Sequence, residues 1–131
     1  MAQLEIDGVV TRDVALLRDC DRLALWLPQL IRRIGMRPVG PPIIQPYAHW
    51  NGSAPSAVQF MEESAVVVHT YPQANYIEIT LHSCNVISDH ESIITEVVGL
   101  LGLRLKRVHY APERNWRNLS QAPDIPWPSI R

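Results

Sequence analysis

The sequence predicts an α+β fold, a two-layer sandwich in which an antiparallel sheet carries two helices on one face. Three observations predict it. Runs of alternating apolar and polar residues, separated by turn signals, recur over residues 4–11, 56–61, 65–70, 76–83 and 104–110. Two stretches between them carry apolar residues at helical spacing. The resulting order is strand, helix, three or four antiparallel strands, helix, strand. Helices gathered on one face of such a sheet make a two-layer domain.

"LEIDGVVT" at 4–11 alternates and reads as the first strand. From about Asp19 to Gly35, the residues Leu23, Leu27, Leu30, Ile31 and Ile34 recur at helical spacing, with Gly35 as a stop. Pro28 lies inside that run; lacking an amide hydrogen, it is expected to kink the helix or split it. Residues 37–50, "RPVGPPIIQPYAHW", are punctuated by proline and supply at best an edge strand. "PQAN" joins the runs 65–70 and 76–83, with Asn75 able to take a positive φ. "SDHE" at 88–91 reads as a capping box that opens the second helix. Its Ile93, Ile94, Val97, Val98 and Leu101 form one stripe that Gly102 ends. "RLKRVHY" is the last strand. Residues 112–131 have three prolines beyond Pro112 and no periodicity, and read as a tail that Trp116 and Trp127 can pin to the body or to a partner.

At 131 residues and 47% hydrophobic composition, the chain is expected to form one domain, residues 1–131, with a sizeable core. A net charge of −1 with both signs scattered argues against a nucleic-acid groove or a polybasic membrane patch. Cys20 and Cys84 fit neither a disulfide framework nor a zinc motif, and Cys20 reads as structural. "MAQLEIDGVV" lacks the basic flank and apolar run of a signal peptide, and no window is long enough to span a membrane. A reducing, cytoplasmic setting is expected. With helices on one face only, the sheet's other face is expected to be buried against a second copy, as a homodimer or higher homo-oligomer.

"MEESAVVVHTYP" at 61–72 raises the functional question, because a core strand has no use for Ser64 behind two carboxylates, Glu62 and Glu63, with His69 five residues on. Alternation puts Ser64, Val66 and Val68 on one face and Ala65, Val67 and His69 on the other. In the next run, Glu78, Thr80, His82 and Cys84 share a face. His69, His82 and Cys84 are ligand types for zinc, but a fourth ligand is missing, so no metal site is expected and His82 reads as an exposed face residue.

These residues resemble a family. "ESAVVVHTYP" followed at a short interval by Cys84 is similar to the bacterial and archaeal S-adenosylmethionine decarboxylase proenzymes, whose pattern is E-S-H-x-x-I-H-T-[WY]-P, a turn with an aromatic, then T-C-G. "HWNGSAPSAV" matches part of their H-x-F-x-x-x-G-x-S-G segment, and "LKRVHYAPERN" resembles their K-R-V-H-x-x-x-E-R ending, to which Arg107 and Glu113 belong. The spacing from Trp50 to Cys84 fits without gaps, and the resemblance runs to about residue 117.

The resemblance implies a covalent pyruvoyl cofactor made from Ser64, with no metal. Decarboxylation needs an electron sink that no standard side chain supplies. By resemblance, the Ser64 hydroxyl attacks the Glu63 carbonyl, and elimination then cuts the chain into residues 1–63 and 64–131. Glu63, Ser64, Ser56 and His69 take the processing roles. The attack requires a proton acceptor and an oxyanion donor. The pyruvoyl group then forms a Schiff base with the substrate amine, carbon dioxide leaves, and Cys84 returns a proton. Ser64, His69 and Cys84 are the implied catalytic residues, and Trp50, placed to stack on adenine, and Gln73 are the implied substrate-binding residues.

The sequence departs from the pattern at several places, T-C-G among them, which has become Ser83-Cys84-Asn85. Ala65 replaces the histidine after the serine, Gln73 the acidic residue after the proline, Asn85 the glycine after the cysteine, and Ala57 a glycine beside Ser56. Gln73 can still bond a hydroxyl but brings no negative charge near a sulfonium. The expected function is a decarboxylase of polyamine synthesis acting on S-adenosylmethionine. The alternatives are the same chemistry on arginine or ornithine, and an unprocessed homologue that binds a ligand or partner.

Overall fold

The first strand in the chain is an interior strand of the sheet, paired on both sides. In the computed structural model, which describes residues 2–49, 52–62, 64–84, 87, 89–111, 120–121, 123–124 and 126, β1 spans Ala2–Val9. A 3-10 turn over Val14–Leu17 leads into α1, Cys20–Arg33. The short edge strand β2, Ile43–Gln45, comes next, followed by a small hairpin of β3, Ala48–His49, and β4, Gly52–Ser53. Then come β5, Ser56–Met61, β6, Ser64–Tyr71, and β7, Tyr76–Ser83. The helix α2, His90–Leu101, and the strand β8, Arg104–Ala111, complete the described elements. The main sheet has the order β2-β5-β6-β7-β1-β8, and every pairing is antiparallel. This is the expected α+β architecture, a six-stranded antiparallel sheet with two helices.

Period-two alternation decides what each strand buries. Leu4 and Ile6 of β1, Ala57 and Met61 of β5, Val66 and Val68 of β6, and Ile77, Ile79 and Leu81 of β7 join one core. Leu23, Leu27, Leu30 and Ile31 of α1 and Ile93, Val97 and Leu101 of α2 complete it. Burying side chains of this size contributes about 1.5–3 kcal/mol each, before the entropy of ordering the chain is set against it. The intervening strand residues make up the sheet's open face.

Asp19 caps α1, its carboxylate accepting from the amides of Asp21 and Arg22. Of the kink or split expected at Pro28, the split does not occur: the helix runs unbroken to Arg33. Beyond its end Gly35 takes φ 83°. The second helix begins one residue later than its capping-box motif implies: Asp89 is the N-cap, accepting from the Ser92 amide. Gly102, at φ 54°, closes it. Asn75 has the expected positive φ, 51°, at the turn between β6 and β7. Gln59, fully buried in β5, pins the proline-rich segment by donating to the carbonyls of Val39 and Gly40 at 3.3 and 3.0 Å. Ser88, Glu113, Trp116 and Trp127 lie outside the described residues. Among the described residues no helix is long and apolar enough to cross a membrane.

Candidate active site

Ser64 is the first residue of β6 and follows a two-residue turn, because Met61 and Ser64 are directly opposed across the β5–β6 hairpin. On its other side Ser64 faces Ser83 of β7, and its hydroxyl donates to Ser83 Oγ at 3.2 Å. Ser83 is buried, whereas Cys84, one residue beyond the end of β7, is exposed. The chain then leads past Ile87, whose carbonyl accepts from the Tyr110 hydroxyl at 3.3 Å, to His90, stacked on the Tyr110 ring at 4.2 Å. These contacts tie Ile87 and the start of α2 to β8.

At the other end of the same hairpin Ser56 and His69 are directly opposed, with Ser56 Oγ 2.9 Å from His69 Nδ1. With the ring proton on Nε2, Nδ1 accepts from the hydroxyl. Five residues of extended strand separate His69 from Ser64, about 17 Å. The two also have opposite parity, with Ser64 in line with buried Val66 and Val68, and His69 on the open face. Within one chain the structure therefore brings Ser56 to His69 and Ser64 to Ser83, the residue before Cys84, but does not bring the two groups together.

Ser56 and His69 belong to a polar row that crosses the open face, one residue per strand. His69 faces Glu78 of β7, Glu78 faces Asp7 of β1, and Asp7 faces Arg107 of β8. Asp7 is buried, and its Oδ1 has no partner among the described residues. Burial holds its carboxyl above the usual range, and the charges of Glu78 and Glu5 add to this while Arg107 opposes it. Arg107 also contacts Glu5 at 2.5 Å. Tyr71 stacks edge-on against Tyr76, the rings 6.1 Å apart. Asp7 and Glu78 do not stand out in the sequence. Parity puts each on the open face, but their juxtaposition depends on a cross-strand register that sequence alone does not contain.

Gln73 is exposed in a 3-10 turn over Pro72–Ala74. Trp50, Glu63 and Asn85 lie outside the described residues. Among the described residues no group of three or more His, Cys, Asp or Glu side chains is placed to hold a metal ion.

The fold is in keeping with the comparisons with known proteins. The chain matches the family model for S-adenosylmethionine decarboxylase over residues 4–114. It therefore belongs to the S-adenosylmethionine decarboxylase family. Among solved structures it is similar to the adenosylmethionine decarboxylase from Aquifex aeolicus VF5, with a TM-score of 0.61 and 10% identity, over 85% of this chain and 87% of that one. At that identity the likeness is one of fold. A comparison with curated proteins found no match.

Proposed function

We propose that the chain is a self-processing, pyruvoyl-dependent decarboxylase of polyamine biosynthesis that acts on S-adenosylmethionine and cuts itself at the Glu63–Ser64 bond. One observation carries this reading: Ser64 is the first strand residue after a two-residue turn, its hydroxyl held by Ser83 and with Cys84 next along the chain. A bond at a turn can be cut without dismantling either strand. β5 stays paired with β2, and β6 with β7. The new chain end at residue 64 stays in register beside Ser83 and Cys84. The position suits a covalent group made from Ser64.

In processing, the Ser64 hydroxyl loses its proton to an acceptor as its oxygen bonds the Glu63 carbonyl carbon and the peptide C–N bond breaks. Loss of the Ser64 Cα proton then expels Glu63 as a carboxylate, and water replaces the freed amine as ammonia. The pyruvoyl carbonyl supplies the electron sink for decarboxylation. Cys84 is the proton donor at the substrate carbon, and Trp50 and Gln73 are the groups toward the nucleoside.

The acceptor and oxyanion donor assigned by resemblance, His69 and Ser56, are about 17 Å along the strand from Ser64 in the same chain. We propose that a homodimer supplies them: a second copy packed on the open face in the reverse direction would set the partner subunit's Ser56 and His69 over the Ser64 end of β6. That face carries exposed Ile43, Phe60 and Tyr71, apolar surface suited to such packing. A cytoplasmic setting accords with the free thiols of Cys20 and Cys84.

Intact mass spectrometry of the purified protein tests the reading. Two fragments are expected, residues 1–63 and 64–131, the second without a normal amino terminus. Ser64→Ala should leave one full-length chain. A single full-length mass for wild type after long incubation overturns the proposal in favour of an unprocessed binding homologue. Carbon dioxide released from arginine or ornithine, and not from S-adenosylmethionine, moves the substrate assignment, in line with the uncharged Gln73.

A further inference from the structure

Next to the Ser64–Ser83 pair, the β6–β7 ladder sets Ala65 directly opposite His82. Both belong to the open face, and His82 is exposed. Cys84, also exposed, lies two residues further on. Cys84 is one residue past the end of β7, and two residues of chain span at most about 7 Å, a gap that an imidazole and a thiol bridge directly or through one water. The family pattern carries an imidazole right after the serine, where this chain has Ala65. The register shows that an imidazole stands instead across the ladder, against the same position. The other imidazoles whose side chains are described serve elsewhere. His69 bonds Ser56 at the far end of β6, His109 faces Glu5, and His90 stacks on Tyr110.

We propose that His82 is a positioning residue for Cys84: it holds the proton supply of the thiol. This rests on the decarboxylase reading above. When carbon dioxide leaves, the electron pair of the broken C–C bond stays with the substrate carbon. Cys84 gives its Sγ proton to that carbon and becomes a thiolate. The His82 imidazolium passes a ring N–H proton to Sγ and becomes neutral, then regains a proton from the water it is exposed to. One solvent proton is taken up for each carbon dioxide released. The neutral His82 imidazole also takes the Sγ proton in the reverse direction, and it is the thiolate so formed that reacts with an alkylating agent.

Two measurements on the full-length protein, as it is purified, test this. The first needs no turnover. Iodoacetamide labelling near neutral pH, read peptide by peptide, compares Cys84 with Cys20 as internal control. His82→Ala is expected to slow labelling of Cys84 at least about threefold and to leave Cys20 unchanged. The double variant Ala65→His/His82→Ala, with the imidazole back on the neighbouring strand, is expected to restore most of the rate. Unchanged Cys84 labelling in His82→Ala overturns the proposal whatever the enzyme does, and so does failure of the double variant to recover. The second measurement is turnover of the processed protein. In His82→Ala kcat should fall about 10-fold or more, with KM little changed, and recover in the double variant. An unaltered kcat overturns the proposal. If wild type releases no carbon dioxide from any substrate, the decarboxylase reading fails, and labelling alone decides whether His82 governs Cys84.

Discussion

Ser56 Oγ and His69 Nδ1 lie 2.9 Å apart, across a directly opposed residue pair of β5 and β6. Their hydrogen bond is local to the hairpin, whereas the serine it is proposed to serve is at the hairpin's other end.

That separation makes subunit complementation informative. Ser64→Ala and His69→Ala chains should each fail to self-cleave or do so slowly. Mixed so that subunits exchange, they should form dimers in which the His69→Ala chain is cut, its intact Ser64 served by the partner's His69. Mass spectrometry reads which chain is cut. Absence of cleavage in exchanged mixtures would show that each chain processes itself. His69 is exposed and Ser64 half-buried, and each substitution removes one side-chain hydrogen bond, so stability should fall by no more than about 1.5 kcal/mol.

Asp7 should leave a signature in the pH dependence of stability. Burial, then Glu78, raise its carboxyl in the folded state above its ordinary value of 3.8. The folded chain therefore keeps this proton at a pH where the unfolded chain has lost it. The stabilisation is fully present below 3.8 and is lost as pH rises through the raised folded value. Asp7→Asn stays neutral throughout. Its thermal unfolding temperature should gain on wild type as pH climbs from about 3 to about 7. Parallel curves would contradict the assignment.

Pro28 leaves a carbonyl of the preceding turn without its helical donor, in a helix that nevertheless runs from Cys20 to Arg33. Pro28→Ala should therefore stabilise the protein, by about 1–3 kcal/mol in denaturant titration.

Gly8 marks a register shift between β1 and β8. A Cβ there would stand 2.5 Å from the Arg104 carbonyl oxygen and 2.8 Å from Leu103 Cγ. Gly8→Ala should cost about 1–3 kcal/mol, because backbone must move to admit it. A melting curve like that of wild type would mean that β8 yields more readily than its pairing implies.

The sequence by itself determined the two helices and the five longer strands, though not the 3-10 turn before α1 or the β3–β4 hairpin. Alternation in β5, β6 and β7 and the stripes of α1 and α2 are local periodicities, set by backbone geometry, and Gly35, Asn75 and Gly102 mark stops for the same reason. The motif around Ser64 and Cys84 was legible because it is contiguous. Only the tertiary structure decided the register. It opposed Ser56 to His69, His69 to Glu78, Glu78 to Asp7 and Ala65 to His82. Each of these relationships joins different strands, and a slip of one residue would send every one of those side chains to the other face. It also showed that His69 and Ser64, five residues apart in the chain, lie at opposite ends of one strand, because an extended backbone cannot fold back on itself within five residues.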